Sequence, residues 1–266
     1  AIVHVLRCFD DSDIVHVDGS VDPVRDMGII NTELLLADVE QCEKALATVQ
    51  KKNRSKDPLD AQKVDVLNAC LGHLSEGRPL RVVDWSDAEA AIIKPFQFLT
   101  IKNTIYVCNV AETEVGTDNH HVAAVRSAID GEHAKIICLS AQLEHEVSQL
   151  DSEDKPEFLN EFGLTESGLQ QLAKQSFKLL GLETFLTTGE KETRAWTIPS
   201  GTLAPKAAGE IHTDFEKGFI RANVVHYDDF VRCKGYAQAR ATGCLRQEGK
   251  EYVVKDGDII EFLFNV

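Results

Sequence analysis

Two short stretches of this 266-residue chain carry side chains suited to gripping a flat heteroaromatic ring: Asn109-Val110-Ala111-Glu112 and Ser140-Ala141-Gln142. An Asn amide can meet a purine N7 or exocyclic group, Val110 can pack on the ring, and a Ser-Ala backbone can reach the base edge. As strings, NVAE and SA are short enough for chance to supply. Their position carries the argument, because each closes an apolar run that reads as a buried strand, and ligands of open α/β sheets bind beyond the carboxyl ends of strands. Hydrolytic chemistry is another matter. The chain contains no GxxxxGK[ST], no GxSxG and no HRD or DFG, so no catalytic residue is named.

The elements that must position these loops follow from the pattern. Thr104 to Val110 and Ala134 to Ala141 are the two apolar runs, and residues 118–130 between them read as a helix, a βαβ unit of a parallel sheet. A further strand is expected at Ile2 to Val5. The chain enters it directly from Ala1, so a preceding part of the domain is expected. Leu35, Val39, Cys42, Leu46 and Val49 step by four and three from a helical pattern that starts at Asn31. Val64, Leu67, Leu71 and Leu74 form a second seam. Two such helices make a hairpin, either a projecting coiled-coil arm or ordinary amphipathic helices lying on a core, and Lys51, Lys52 and Arg54 suit the negative end of the first. Ser86 with Glu89 has capping-box spacing. Residues 144–166 hold eight carboxylates against Lys155, the pattern of a helical segment with a solvated face, and Leu169 to Leu180 reads as a helix stopped by Gly181. Beyond Glu183 the texture is short strands and turns, ending in a strand from Asp258 to Phe264.

Composition bounds the partners. There are 28 Lys+Arg against 43 Asp+Glu, a net charge of −15, which argues against broad, phosphate-hugging contact with nucleic acid while leaving room for a local basic patch, and no DNA partner is expected. The charge is uneven, however: residues 183–266 carry 11 basic and 13 acidic residues, so almost all the excess lies in residues 1–182. No apolar run approaches the roughly 18 to 20 residues of a membrane span, and no leader pattern is present, so a cytoplasmic protein without a membrane partner is expected. The seven cysteines are scattered without a CxxC pair, as reduced thiols would be. The pair His120-His121 lies in a polar stretch with no third ligand at helical spacing, and no metal site is expected there.

Longer strings now identify a family. RAWTIPSGTLAPKAAGEIHTDFEKGFIRA (Arg194 to Ala222), YVVKDGDIIEFLFNV (Tyr252 to the C-terminus), RCFDDSDIVHVDGSVDPVRD (Arg7 to Asp26), INTELLLADVE (Ile30 to Glu40) and NVAE resemble the YchF/Obg-like ATPase family, a branch of the translation-factor-class P-loop NTPases, over essentially the whole chain. The resemblance implies an α/β fold: a parallel-sheet P-loop NTPase-like domain lacking its N-terminal part here, an α-helical coiled-coil insertion, and a C-terminal β-grasp, ubiquitin-like TGS domain. The corresponding partition is 1–30, 31–80, 81–182 and 183–266. It implies ATP and Mg²⁺ as cofactors, with the Mg²⁺ ligands upstream of Ile2, and a base site formed by Phe9, Asn109, Val110, Glu112, Ser140, Ala141 and Gln142. Relatives specific for GTP have NKxD where this chain has Asn109-Val110-Ala111-Glu112, and the departure is associated with a preference for ATP.

The resemblance also implies a ribosome or ribosomal RNA as partner, and a monomer. Lys206, Lys217, Arg221, Lys234 and Arg240 are candidate contacts on the C-terminal domain, with Phe215 and Phe219 as aromatic platforms or, at i, i+4, as ordinary packing. His212 in the same string suits capping or packing better than proton transfer, since no nucleophile neighbours it. The expected function is slow ATP hydrolysis on the ribosome by the intact protein; the alternative is a non-catalytic adaptor that uses the helical arm and the TGS domain.

Overall fold

Thr104–Asn109 is apolar and buried along nearly its whole length, as a strand with a neighbour on each side must be. In the computed structural model, which describes residues 1–15, 19–52, 58–129, 134–189 and 192–265, it is β2 of a three-stranded parallel sheet of order β1-β2-β3. β1 is Ile2–Arg7 and β3 is Lys135–Leu139; Ile2 pairs with Thr104 and Ile105 with Lys135. Among the described residues β1 has a neighbour on one side alone. Val3 and Val5 are 45% and 62% exposed, so β1 is half-buried and not the fully buried strand its composition suggests.

The first helix begins earlier than its heptad pattern. α1 runs Pro23–Lys52, eight residues ahead of Asn31. The Asp22 carboxylate accepts from Val24 N and Arg25 N at 3.2 and 3.0 Å, and Pro23 supplies the fixed φ of a first helical position. α2, Pro58–Ser75, buries Val66, Leu67, Cys70 and Leu74 against Cys42 of α1, with Leu35, Val39, Leu46, Val49 and Leu71 around them. The two seams therefore meet, although Val66, not Val64, is the buried valine. Leu80, Ile93 and Phe98 close the same cluster. Buried Asp38 fixes that closure, its two carboxylate oxygens accepting from Leu99 N and Thr100 N at 2.7 Å each. Arg54 lies outside the described residues.

α3, Asp87–Ile93, starts on the full Ser86/Glu89 capping box. α4, His120–Ala128, crosses between β2 and β3 and packs Val122 and Val125 on the sheet with Leu6, Cys8 and Tyr106. The carboxylate-rich stretch is two helices, α5 (Ala141–Gln149) and α6 (Lys155–Glu161). Glu144 does not belong to a solvated face: it is 7% exposed and accepts from Gly168 N at 2.6 Å and Leu169 N at 3.2 Å, at the start of α7 (Gly168–Leu179). A carboxylate facing a helix N-terminus satisfies orphan donors and the positive end of the dipole together.

The chain divides into two compact units, Ala1–Ser176 and Phe177–Val266. The second is a five-stranded sheet of order β5-β4-β8-β6-β7, with β4 Leu182–Thr188, β5 Thr193–Pro199, β6 Phe219–His226, β7 Arg246–Glu248 and β8 Asp258–Phe264. β4 and β8 are parallel and the other pairs antiparallel. Helix α8 (Ala204–Ile211) lays Ala204, Ala207 and Ala208 on Phe185, Ile198, Val224 and Ile260. Short helices α9 (Thr213–Lys217), α10 (Tyr227–Cys233) and α11 (Tyr236–Ala241) complete it.

Candidate functional site

At the carboxyl edge of the parallel sheet, Phe9, Asp10, Asp11, Asn109, Val110, Ala111, Glu112, Thr113, Ser140 and Gln142 line one cleft of about 290 Å³. Three sequence-distant loops, one after each strand, meet there. The cleft sits at the small end of ligand pockets, which run from about 300 to 1,000 Å³, and is the size for a base more than for a whole nucleotide.

Asn109 is the hinge of the arrangement. Its Oδ1 accepts from Ala141 N at 2.9 Å, tying the loop after β2 to the loop after β3. With the carbonyl occupied, the Nδ2 amine is the group left to donate to a ring acceptor. The Ala141 N–H is consequently committed, and Ala141 is not among the lining residues, so its sequence-predicted role becomes one of holding Asn109. Val110 is 2% exposed and belongs to the core cluster under the cleft, which makes it floor more than stacking surface. Ser140 is also 2% exposed and caps α5 by accepting from Leu143 N. Gln142 is exposed, and Phe9 is half-buried at the opposite wall.

Glu112 carries an unmet need: its Oε1 is buried without a hydrogen-bond partner. A buried carboxylate oxygen in that state is costly. Among the described residues, Asp10, Asp11 and Glu112 are the charged ones that line the cleft, and no Lys or Arg does. Such a wall repels phosphate and attracts amine edges. Arg7 stands behind it, its guanidinium donating to the carbonyls of Phe9, Asp11 and Ile14 at 3.2, 3.2 and 3.0 Å and lying 4.8 Å from the Phe9 ring centroid. Sequence reasoning missed Arg7 and the two aspartates. The available signal was position: Arg7 lies two residues before Phe9, and Asp10 and Asp11 directly follow it.

In the second unit, Lys206, Lys217, Arg221, Lys234 and Arg240 are all exposed, on α8, α9, β6, the residue after α10, and α11. Lys206 is ion-paired with Glu216, which raises its pKa. Phe219 is 5% exposed in the core and Phe215 stacks on Phe264 with centroids 3.8 Å apart, so packing accounts for both rings and neither is a free platform. His212 caps α9, its Nδ1 accepting from Asp214 N.

The fold and cleft define an α/β protein with a cleft at the carboxyl edge of a parallel sheet, followed by a separate mixed sheet unit. A family model described as YchF-GTPase_C, protein of unknown function (DUF933), matches residues 182–265. The chain is 46% identical over 266 residues to a protein named ribosome-binding ATPase YchF from Escherichia coli O157:H7, covering all of this chain and 73% of the relative. The protein of the same name from Bacillus subtilis (strain 168) is 45% identical over 268 residues with the same coverage. Among solved structures, that of the Schizosaccharomyces pombe YchF GTPase matches with a TM-score of 0.84 at 35% identity, over 99% of this chain and 72% of that one. The chain belongs to the YchF family.

Proposed function

We propose that the cleft is the base half of a purine nucleotide site, and that the protein is a ribosome-associated ATPase of the YchF type that prefers ATP to GTP. The observation that carries this reading is the pairing, in one cleft lining, of Asn109, whose amide NH2 is left to donate, with Glu112, whose Oε1 is buried without a hydrogen-bond partner. Together they present one donor and one acceptor, the complement of the N7 and the exocyclic amine of adenine. Guanine offers a carbonyl beside N7 instead, and a mismatched buried polar pair costs about 1 to 3 kcal/mol.

The acidic lining leaves the phosphates and Mg²⁺ to groups other than those of the cleft. The sequence has no GxxxxGK[ST], so both are assigned to protein outside these 266 residues, and no residue here is given a part in the hydrolytic step. Bound Mg²⁺ would supply charge neutralisation for phosphoryl transfer. Asn109, Glu112, Ser140, Gln142 and Phe9 would orient the base, Ala141 would hold Asn109 through its N–H, and Val110 would support them from below. The strand order and packed helix of the second unit suit a β-grasp TGS domain over 183–266, and the packed seams of α1 and α2 suit a coiled-coil insertion over 31–80 of a G-domain at 1–30 and 81–182. Lys206, Lys217, Arg221, Lys234 and Arg240 would then meet ribosomal RNA, with the protein acting as a cytoplasmic monomer. No helix among the described residues is long and apolar enough to cross a membrane. The absence of the phosphate motif from this sequence favours one second reading, a ribosome-binding adaptor in which the sheet only supports the arm and the TGS domain.

Calorimetric titration with ATP and GTP tests the choice, on this chain and on this chain extended by the part of its relatives that it does not match. The extended protein is expected to bind ATP more tightly than GTP, and Asn109→Ala to weaken both. GTP binding at least as tight as ATP defeats the base argument; equal ATP affinity of the two proteins defeats the assignment of the phosphates. No ATP binding by the extended protein leaves the adaptor. Charge reversal at Lys217, Arg221 and Lys234 is expected to reduce ribosome co-sedimentation and its salt dependence, and an unchanged profile moves the contact to the arm.

A further inference from the structure

A second group of side chains stands beside the cleft and shares Asp10 with its acidic wall. Asp10, His120 and His121 each bring one ligand-type atom to within 4.8 Å of the others. His121 Nε2 lies 3.4 Å from Asp10 Oδ2, and the two imidazole rings lie side by side, tilted by 36° with centroids 3.9 Å apart. We propose that Asp10, His120 and His121 form a transition-metal site of the Zn²⁺ class, with three protein ligands and an open position for water.

Local structure builds the site before any ion arrives. Asn119, the N-cap of α4, accepts from Val122 N at 2.9 Å while its amine donates to Cys8 O at 2.7 Å and Glu114 Oε2 at 2.9 Å. That clip fixes the first turn of α4, where both histidines sit, against the end of β1, two residues before Asp10. The Arg7 guanidinium holds the carbonyls on either side of Asp10. His121 of the His–Asp contact is 9% exposed at its side chain, whereas Asp10 is 71% exposed, so the site has a buried wall and an open mouth.

The geometry and the donor set choose the ion. Ligands about 2.0 to 2.1 Å from a tetrahedral centre stand about 3.3 to 3.4 Å from one another, the separation Asp10 and His121 already have. His120 is exposed and can close its remaining gap, at most about 1.4 Å, by side-chain rotation. A simple His–Asp ion pair would need one imidazole. The second, in contact with the first, would be repelled if both were protonated, but two neutral imidazoles and a carboxylate are a normal set for Zn²⁺ and a poor one for Mg²⁺ or Ca²⁺. Sequence spacing hid the site because the third ligand comes from 110 residues upstream of His120.

Calorimetry with ZnCl₂ near neutral pH, on the full chain, tests the proposal, with His120→Ala, His121→Ala and the double variant. Wild type is expected to bind one equivalent at this site, and each single variant to bind it at least about tenfold more weakly, since loss of an outer-shell partner already costs 10- to 100-fold. His120→Ala carries the test if His121→Ala disturbs folding by circular dichroism, because His120 is exposed. Co²⁺ as a spectroscopic probe separates this site from the seven thiols: visible d–d bands without a thiolate charge-transfer band are expected. Unchanged Zn²⁺ affinity in the double variant, or a thiolate band in the Co²⁺ spectrum, overturns the proposal.

Discussion

Asp38 gives the sharpest test of how the first unit is held together. It is fully buried on α1, and its carboxylate accepts from Leu99 N and Thr100 N at 2.7 Å, bridging 61 and 62 residues of sequence. A hydrogen bond to a charged group contributes about 1.5 to 3 kcal/mol, so two are worth about 3 to 6. Burying the carboxylate offsets part of that, which places Asp38→Ala at the low end, about 3 kcal/mol of destabilisation. Asp38→Asn keeps one carbonyl oxygen but turns an amine towards the other N–H, and it should lose at least half as much. The readout is urea unfolding in a Trp196→Phe background, because the remaining Trp85 packs in the same cluster as α1 and α2 and donates to Leu80 O at 2.9 Å. With a slope of about 1.5 kcal/mol per M, the midpoint falls by about 2 M for Asp38→Ala. A fall below about 0.5 M would show that the segment 96–101 is held by apolar packing alone, and the accounting for Asp38 would be wrong.

Further perturbations probe other parts. Gly218→Ala would put a Cβ 2.0 Å from the Asn265 carbonyl oxygen, against backbone that cannot yield cheaply; it should destabilise the second unit by more than about 2 kcal/mol, and a melting temperature within a degree of wild type would refute that contact. Gly168→Ala meets Leu139 Cβ at 2.5 Å and Glu144 Oε1 at 3.0 Å, directly behind the Ser140 loop, so it should lower both stability and nucleotide affinity of the extended protein; retention of both would separate α7 from the cleft. Thiol reactivity should be ordered. The Thr242 hydroxyl and Arg232 guanidinium lower the pKa of Cys244, whereas burial pushes Cys42 up to about 11 and Cys70 to about 12, so one fast equivalent towards Ellman's reagent at pH 8 should vanish in Cys244→Ser. Burial raises Tyr236 to about 12, and burial with the Asp258 hydrogen bond raises Tyr252 to about 12. Because the folded pKa lies above the unfolded value near 10, the stabilisation is complete below about pH 10 and is lost as pH rises towards 12. Stability of the second unit that is flat over that window in wild type but not in Tyr252→Phe would contradict the sign.

Much of the cleft was legible because parallel strands announce themselves as continuous apolar runs and put their following loops in one place. Phe9, Asn109, Val110, Glu112, Ser140 and Gln142 do line a single cleft. Their individual roles were less legible. Val110 and Ser140 are buried, one in the core and one as a helix cap, and the hydrogen bond that consumes the Asn109 carbonyl depends on how β2 and β3 are registered. Glu144 shows the same limit: in a run of eight carboxylates nothing local distinguishes the one that a distant helix N-terminus draws inward.

By itself the sequence determined periodicities, caps and turns: the seams of α1 and α2, the Ser86 capping box, the strand from Asp258 to Phe264, and the family strings. These are interactions within a few residues of each other, and residue type fixes them. Which polar groups share a partner across 60 or 110 residues is decided by packing. Asp38 on the Leu99–Thr100 turn, Glu144 on α7, and Asp10 beside His120 and His121 exist because the sheet and its helices bring chain-distant backbone to hydrogen-bonding distance.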